Sequence, residues 1–308
     1  MSLSLKQVKA DYEKGLLSKP QYIKKMYQIH RHLFDYSRFL KNTEIGKIEI
    51  SDNQVVLISR DKDVKLICPE NDQRTNLIEV LNFGFSEKEE TEMILSLTEE
   101  GFTFFDIGAN VGWYTIKIAK TVKNAKIFSF EPIPQTFAIL RKNIEINKIT
   151  PPQIYNFGFS SENKKTFFYF YEQGSGNASL KNLSHKVKIK KIPAQVKKLD
   201  DFVKKNHLKI DLIKCDVEGA ELFVFKGGFV AIRDQKPIIF VEMLRKWSAE
   251  FNYNPNVTIQ LLASIGYKCF TIEKKKLKEF IKMDEQTPQT NFFFLHQEKH
   301  QKQIKRLT

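Results

Sequence analysis

Phe104-Phe105-Asp106-Ile107-Gly108-Ala109-Asn110-Val111-Gly112-Trp113-Tyr114 is the stretch that decides the fold. An apolar run ends in Asp106 and passes through Gly108, Ala109, Asn110 and Gly112 into a helical pattern. Ligands of open α/β sheets bind outside the carboxyl ends of strands, where glycines let the backbone approach without a Cβ in the way. The spacing here is Gly108-x-x-x-Gly112. It is not G-x-G-x-x-G, whose second glycine admits a pyrophosphate, and this argues against a nicotinamide oxidoreductase. The bland alternative is a purely structural strand-to-helix turn.

A ligand bearing an ammonium and a sulfonium, as S-adenosylmethionine does, suits an acidic Asp106 where a phosphate would be repelled. Outward from the loop, Ile127-Phe128-Ser129-Phe130-Glu131-Pro132 is a second apolar strand. It ends in a carboxylate at the interval expected for a ribose-binding acid; the alternative is a solvated strand-end carboxylate. Further on, Ile210 to Gly228 (IDLIKCDVEGAELFVFKGG) delivers Asp216, Glu218, Gly219 and Glu221 to the carboxyl edge before a short helix. Those acids suit proton transfer or acceptor orientation, against a plain reading as helix caps.

Strand candidates at Phe102–Asp106, Lys126–Glu131, Gln153–Phe157, Asp211–Asp216, Pro237–Glu242, Tyr267–Ile272 and Asn291–His296 alternate with helical stretches at Gly112–Lys120, Pro134–Asn147 and Asn256–Ile265. That alternation predicts an α/β fold with a seven-stranded, mostly parallel sheet and helices on both faces. The lead-in KIEISDNQVVLISRDKDVKLIC reads as short antiparallel strands with polar turns. The first forty residues read as two amphipathic helices broken near Ser18 and Pro20. The expected organisation is a helical extension over 1–42, a β-rich lead-in over 43–86, a catalytic domain over 87–298 and a basic tail over 299–308.

With 308 residues, 42% hydrophobic and 28% charged, the chain has an ordinary globular composition. No apolar run reaches the roughly 18–20 residues of a membrane span, and the N-terminus lacks an apolar signal core, so a cytoplasmic location is expected. Cys68, Cys215 and Cys269 have no paired spacing and read as reduced core thiols. His30 and His32 do not share a helical face, and no metal is expected. The net charge of +14 fits an anionic partner or simple solubility; its lysines lack the interleaved aromatics of a nucleic-acid stacking platform.

FFDIGANVGWYTI, FSFEPIP, LDDF followed by IDLIKCDVEGAE, and the later IIFVE together resemble the FkbM-type methyltransferases, over roughly Ile45 to Leu295. The resemblance implies a class I, Rossmann-like methyltransferase fold. It implies S-adenosylmethionine as cofactor, S-adenosylhomocysteine as product, and O-methylation of a hydroxyl on a sugar, glycan or secondary metabolite. By it, Asp106, Gly108, Asn110 and Gly112 line the methionine end, Glu131 holds the ribose, and Asp216 with Glu218 sits at the transfer site. Ala109, Tyr114, Pro132, Phe157 and Gly158 complete the expected cofactor shell. The segment Gly176 to Leu180 resembles a family loop. Asn156 to Ser161 departs from the family's Asn-x-Ala-Leu-Ser-Asp, leaving no acid there for the adenine amine. Glu218 is the first candidate for general base, with Asp216 and Glu242 behind it. A nucleic-acid methyltransferase is the first alternative, but no Asn-Pro-Pro-Tyr or Asp-Pro-Pro-Tyr follows the fourth strand. A non-catalytic binding module is the second. The N-terminal helices offer a surface for homodimerisation.

Overall fold

The computed structural model describes residues 4–84, 87–171, 174, 176, 178–183 and 189–308. Three helices open the chain: α1 (Leu5–Glu13), α2 (Lys19–His30) and α3 (His32–Phe39). Ser4 accepts from the Gln7 amide at 3.1 Å, and Gln21 accepts from the Ser18 amide at 2.9 Å, so the starts of α1 and α2 are capped where N-cap chemistry directs. The second predicted helix is divided at Arg31. Ile23, Tyr27, Leu33, Phe34 and Phe39 remain exposed on these helices, as does Leu16 in the turn between α1 and α2.

Strands β1 (Ile45–Ser51), β2 (Gln54–Ser59) and β3 (Lys65–Cys68) form an antiparallel meander. After it come α4 (Asn76–Phe83), α5 (Lys88–Leu97), β4 (Thr103–Ile107), α6 (Trp113–Thr121), β5 (Lys126–Phe130), α7 (Pro134–Asn147) and β6 (Gln153–Tyr155). A small sheet of β7 (Gly158–Phe159), β8 (Lys164–Phe170) and β9 (Lys190–Lys197) intervenes before α8 (Leu199–Lys205) and β10 (Leu212–Cys215). The chain continues through α9 (Glu221–Gly227), α10 (Phe229–Gln235), β11 (Ile238–Glu242), α11 (Arg245–Glu250), α12 (Asn256–Ala263), β12 (Tyr267–Glu273), β13 (Lys276–Phe280), β14 (Asn291–His296) and α13 (Gln301–Leu307).

The main sheet has the order β13-β12-β14-β11-β10-β4-β5-β6. Strands β11, β10, β4, β5 and β6 are mutually parallel, and β14 runs antiparallel to β11 and β12. The seven anticipated strands are all present. The eighth, β13, closes an antiparallel hairpin with β12, and its alternating Lys276-Leu277-Lys278-Glu279 hides one apolar position among charges. The sheet of β7, β8 and β9 lies where the sequence suggested only a lysine-rich connection. Its lysines face water while Phe168, Phe170 and Val196 turn inward against Ile133.

Successive strand residues point to opposite faces. Phe104 and Leu212 therefore enter one core, and Phe105, Ile107, Ile213 and Cys215 enter the other. By the same alternation Asp106 and Lys214 share the first face, and they stand opposite each other in the β4–β10 register. The meander is fastened to this face by two asparagines of α7. Asn147 accepts from the Lys65 amide and donates to its carbonyl at 3.0 and 2.7 Å. Asn143 accepts from the Ile67 amide at 2.9 Å and donates to the Val111 carbonyl at 2.8 Å, which joins the meander to the glycine loop.

Candidate active site

The carboxyl ends of β4, β5, β10 and β11 converge on one depression, as an open parallel sheet with a topological switch beside its first strand requires. Gly108 and Gly112 adopt φ of +75° and +95°, and Asn110 sits at +48°. A Cβ on Gly108 would lie 1.8 Å from the Asp216 carbonyl oxygen; glycine is what allows the β4 loop to pass so close to β10. Lys214 reinforces the approach by donating to the Gly108 carbonyl at 2.6 Å, with its Nζ 3.6 Å from Asp106 and 3.5 Å from Asp216. Burial alone would favour the neutral amine, but Asp216, Asp106 and Glu87 reverse that and raise its pKa above the ordinary lysine value. Nothing in the sequence reading singled out Lys214.

Asp106 lies one layer behind the depression. Its Oδ2 accepts from the Thr115 amide at 3.1 Å and the Thr115 hydroxyl at 2.6 Å, while Oδ1 is buried facing Lys214. The carboxylate that lines the cavity at this point is that of Asp216.

At the end of β5, Glu131 accepts from the Asn110 amide through Oε2 at 3.0 Å and from the Ile133 amide through Oε1 at 2.9 Å. Burial pushes its pKa up to about 7, against the pull of those two amides. A carboxylate offers about four lone-pair sites, so acceptor capacity remains on the cleft side. Glu131 lines a narrow cleft of about 50 Å³ with Pro132, Phe168, Ala178 and Val217. Phe168, Ala178 and Val217 were not anticipated there. Phe157 and Gly158, expected near the adenine, are not among the cleft-lining residues; Phe157 packs in the aromatic cluster of Phe130, Tyr155, Phe159 and Phe202. Within the family-like loop, residue 177 lies outside the described residues.

The cleft shares Asn110, Gly176, Asp216 and Glu218 with a wider cavity of about 260 Å³, which also meets Arg74, Glu79, Glu87, Ala109, Trp113, Tyr114, Lys214 and Glu242. Tyr114 donates to Glu87 at 3.0 Å. Burial and then the charge of Asp216 raise Glu87 to about 7. The segment after β10 is held in an unusual shape: Glu218 takes φ +53° and Gly219 +94°. A glutamate in the left-handed region needs enforcement. Here Ser179 donates to the Glu218 carbonyl at 2.8 Å, Tyr253 to the Gly219 carbonyl at 2.9 Å, and Glu221 accepts from the Gly219 amide at 2.9 Å.

That shape aims Glu218 at Asp216 and at Glu242 from the end of β11. One carboxylate oxygen of each lies within 4.8 Å of the others. Burial first, then mutual repulsion, raises the pKa of both Glu218 and Glu242 well above the usual carboxylate range. The three acids anticipated from sequence as a transfer site are therefore brought together. Glu87 and Arg74, which also border the cavity, lie upstream of the motifs and were not anticipated.

A glycine-loop switch point with acids at the carboxyl edge of a sheet in this strand order defines a class I methyltransferase. The Methyltransferase FkbM domain matches residues 106–269, more than half of the chain, and the chain belongs to that family. Methyltransferase 1 of Beauveria bassiana is 30% identical over 140 residues, which is 40% of this chain and 56% of that protein. The 2-O-methyltransferase NoeI of Sinorhizobium fredii is 29% identical over 151 residues, covering 44% and 61%. The hexuronic acid methyltransferase AglP of Haloferax volcanii is 29% identical over 154 residues, covering 50% and 61%. The chain thus spans little more than half the length of the curated relatives it matches. Among the described residues no helix is long and apolar enough to cross a membrane.

Proposed function

We propose that this methyltransferase takes its methyl group from S-adenosylmethionine and places it on a hydroxyl of a sugar, glycan or secondary metabolite. The observation that carries the reading is the cluster of Asp216, Glu218 and Glu242 at the sheet's carboxyl edge beside the glycine loop. Two of the relatives support a hydroxyl-bearing acceptor by their names, one a 2-O-methyltransferase and the other a hexuronic acid methyltransferase.

The residues present fit the cofactor. Among the described residues Asn110 Oδ1, in the glycine loop, is buried without a hydrogen-bond partner, and an unmade hydrogen bond at a buried acceptor marks a place for a ligand's donor. Glu131 and the Asn110 loop would hold the ribose, and Asp216 with Asn110 the methionine end. When bound, the cofactor supplies an electrophilic methyl group. The chain's own task is then positioning, which by itself accounts for a large share of a bimolecular rate. It must also remove the acceptor's proton, the role given to Glu218 with Glu242 as its neighbour. Lys214 pairs with Asp216 and holds the glycine loop in place.

The test starts with calorimetry of S-adenosylhomocysteine on the full chain, followed by labelled-methyl transfer to panels of sugars, glycans, polyketides, lipids and RNA. Binding together with a methylated hydroxyl is the expected result. Absence of binding removes the methyl-donor assignment, and label found only in RNA replaces the acceptor class. In Glu218→Gln, normal binding with turnover lowered at least a hundredfold is expected; full turnover would remove Glu218 as the base.

A further inference from the structure

The proposed reaction leaves an electrostatic imbalance in the cavity. Among the described residues its carboxylates are Glu79, Glu87, Asp216, Glu218 and Glu242, and its cations Arg74 and Lys214. Arg74 is engaged at 3.0 Å by Glu79, which leaves four carboxylates around one ammonium. The proposed cofactor adds one net positive charge, so the rest is balanced by protons or by a further cation. Carboxyl groups packed this closely repel unless one or the other stands between them.

We infer that Asp216, Glu218 and Glu242 form a site for one divalent cation of the magnesium or manganese class. The separation is right: ligand oxygens about 2.1 Å from such an ion lie about 3–4.2 Å apart across an octahedron, and the three oxygens fall within 4.8 Å of one another. A second, independent observation points to a ligand. Among the described residues Glu218 Oε2 has almost no accessible surface and no hydrogen-bond partner, and its backbone is left-handed. The donors come from two strand ends, β10 and β11, and the loop between Asp216 and Glu221 is fixed by Tyr253 and Ser179. A preformed, all-oxygen set open to the cavity would leave coordination positions for water and for an acceptor's oxygens. The site rests on the methyltransferase reading. It narrows the acceptor to one presenting adjacent oxygens, a vicinal diol or hydroxy-acid, whose alkoxide the cation would stabilise.

The experiment titrates manganese(II) into the chelator-treated full chain, with and without S-adenosylhomocysteine, following free ion by electron paramagnetic resonance. One manganese bound per chain, displaced by magnesium and weakened at least tenfold in both Glu242→Gln and Glu218→Gln, is the expected result. Circular dichroism and S-adenosylhomocysteine affinity check that each variant is folded. If either variant fails to fold, quenching of Trp113 fluorescence by manganese in the native chain, lost in Trp113→Phe, reports the location instead. No saturable binding at millimolar manganese overturns the site, as does binding unchanged in both variants. Intact S-adenosylhomocysteine binding beside either result leaves the methyl-donor reading standing, whereas loss of that binding in the native chain strikes the reading itself.

Discussion

Replacing Gly108 by alanine isolates the contact on which the site depends. Two costs apply. An L-residue at φ +75° pays roughly 1 kcal/mol for the left-handed conformation. The new Cβ would stand 1.8 Å from the Asp216 carbonyl oxygen and 3.0 Å from its carbon. Those are backbone atoms of a neighbouring strand end and cannot swing aside, so overpacking adds about 1–3 kcal/mol. The sum is about 2–4 kcal/mol. Gly101 provides the control, with φ +77° but nothing within 4 Å of its would-be Cβ, so Gly101→Ala carries the conformational cost alone. At about 2 °C per kcal/mol for a chain of this size, differential scanning calorimetry should show a loss of about 2 °C for Gly101→Ala and roughly 4–8 °C for Gly108→Ala. Only the second should impair S-adenosylhomocysteine binding, because Asp216 and Asn110 are displaced together. Equal melting temperatures in the two variants, with binding intact in both, would refute the claim that close passage of β4 and β10 builds the site.

Lys214→Met should destabilise by about 3–5 kcal/mol, since it strands Asp106 and Asp216 without their shared cation; urea unfolding measures it, and a loss below 1 kcal/mol would deny the ion triad its structural role. Glu131→Gln should weaken S-adenosylhomocysteine binding by roughly tenfold to a hundredfold, the worth of about 1.5–3 kcal/mol for hydrogen bonds to a charged acceptor, and should destabilise the fold by about 1–3 kcal/mol because one of the two amides it accepts from loses its acceptor; calorimetry decides. The ligand-free chain should also lose stability as pH rises from about 4.5 to about 7. Glu87, Glu131 and Glu221 have folded pKa values raised to about 7, so their contribution is complete below the unfolded value and disappears as pH passes through the folded one. The lowered His300, at about 4, and His296 act in the opposite sense below about pH 6.5, but the carboxylates outnumber them. A melting temperature that climbs steadily from pH 5 to 7.5 would contradict this.

The parallel strands were legible because burial on both faces leaves long apolar runs, as in Ile238 to Val241 and in Phe104 to Ile107, broken only by Asp106, each ending where the chain turns at the site. Glu131, Asp216, Glu218 and Glu242 were legible for the same reason, since a carboxylate directly after such a run has few places to go except the sheet's carboxyl edge. Partners set by pairing between distant segments were hidden. Lys214 interrupts IDLIKCD like any tolerated polar residue, and only the register that sets it opposite Asp106 reveals an ion triad. Phe168 belongs to a lysine-flanked strand whose outward face masks its inward one. The direction of Asp106 also depended on a distant-looking group: Thr115, one helical turn into α6, takes its Oδ2.

The cavity's wall was therefore readable residue by residue, while its charge balance was not, because balance depends on which groups are already spent on one another. Thr115 and Lys214 engage Asp106, Glu79 engages Arg74, and backbone amides engage Glu131 and Glu221. Glu218 Oε2, in the triad at the ends of β10 and β11, keeps no hydrogen-bond partner among the described residues. A site that keeps three acids this close, and forces a glutamate backbone left-handed to do so, gives up stability that a helix cap could have supplied with one residue. Such an arrangement persists where a cation or a proton in transit uses it, and the proposed cation is the use that the spacing of these acids fits.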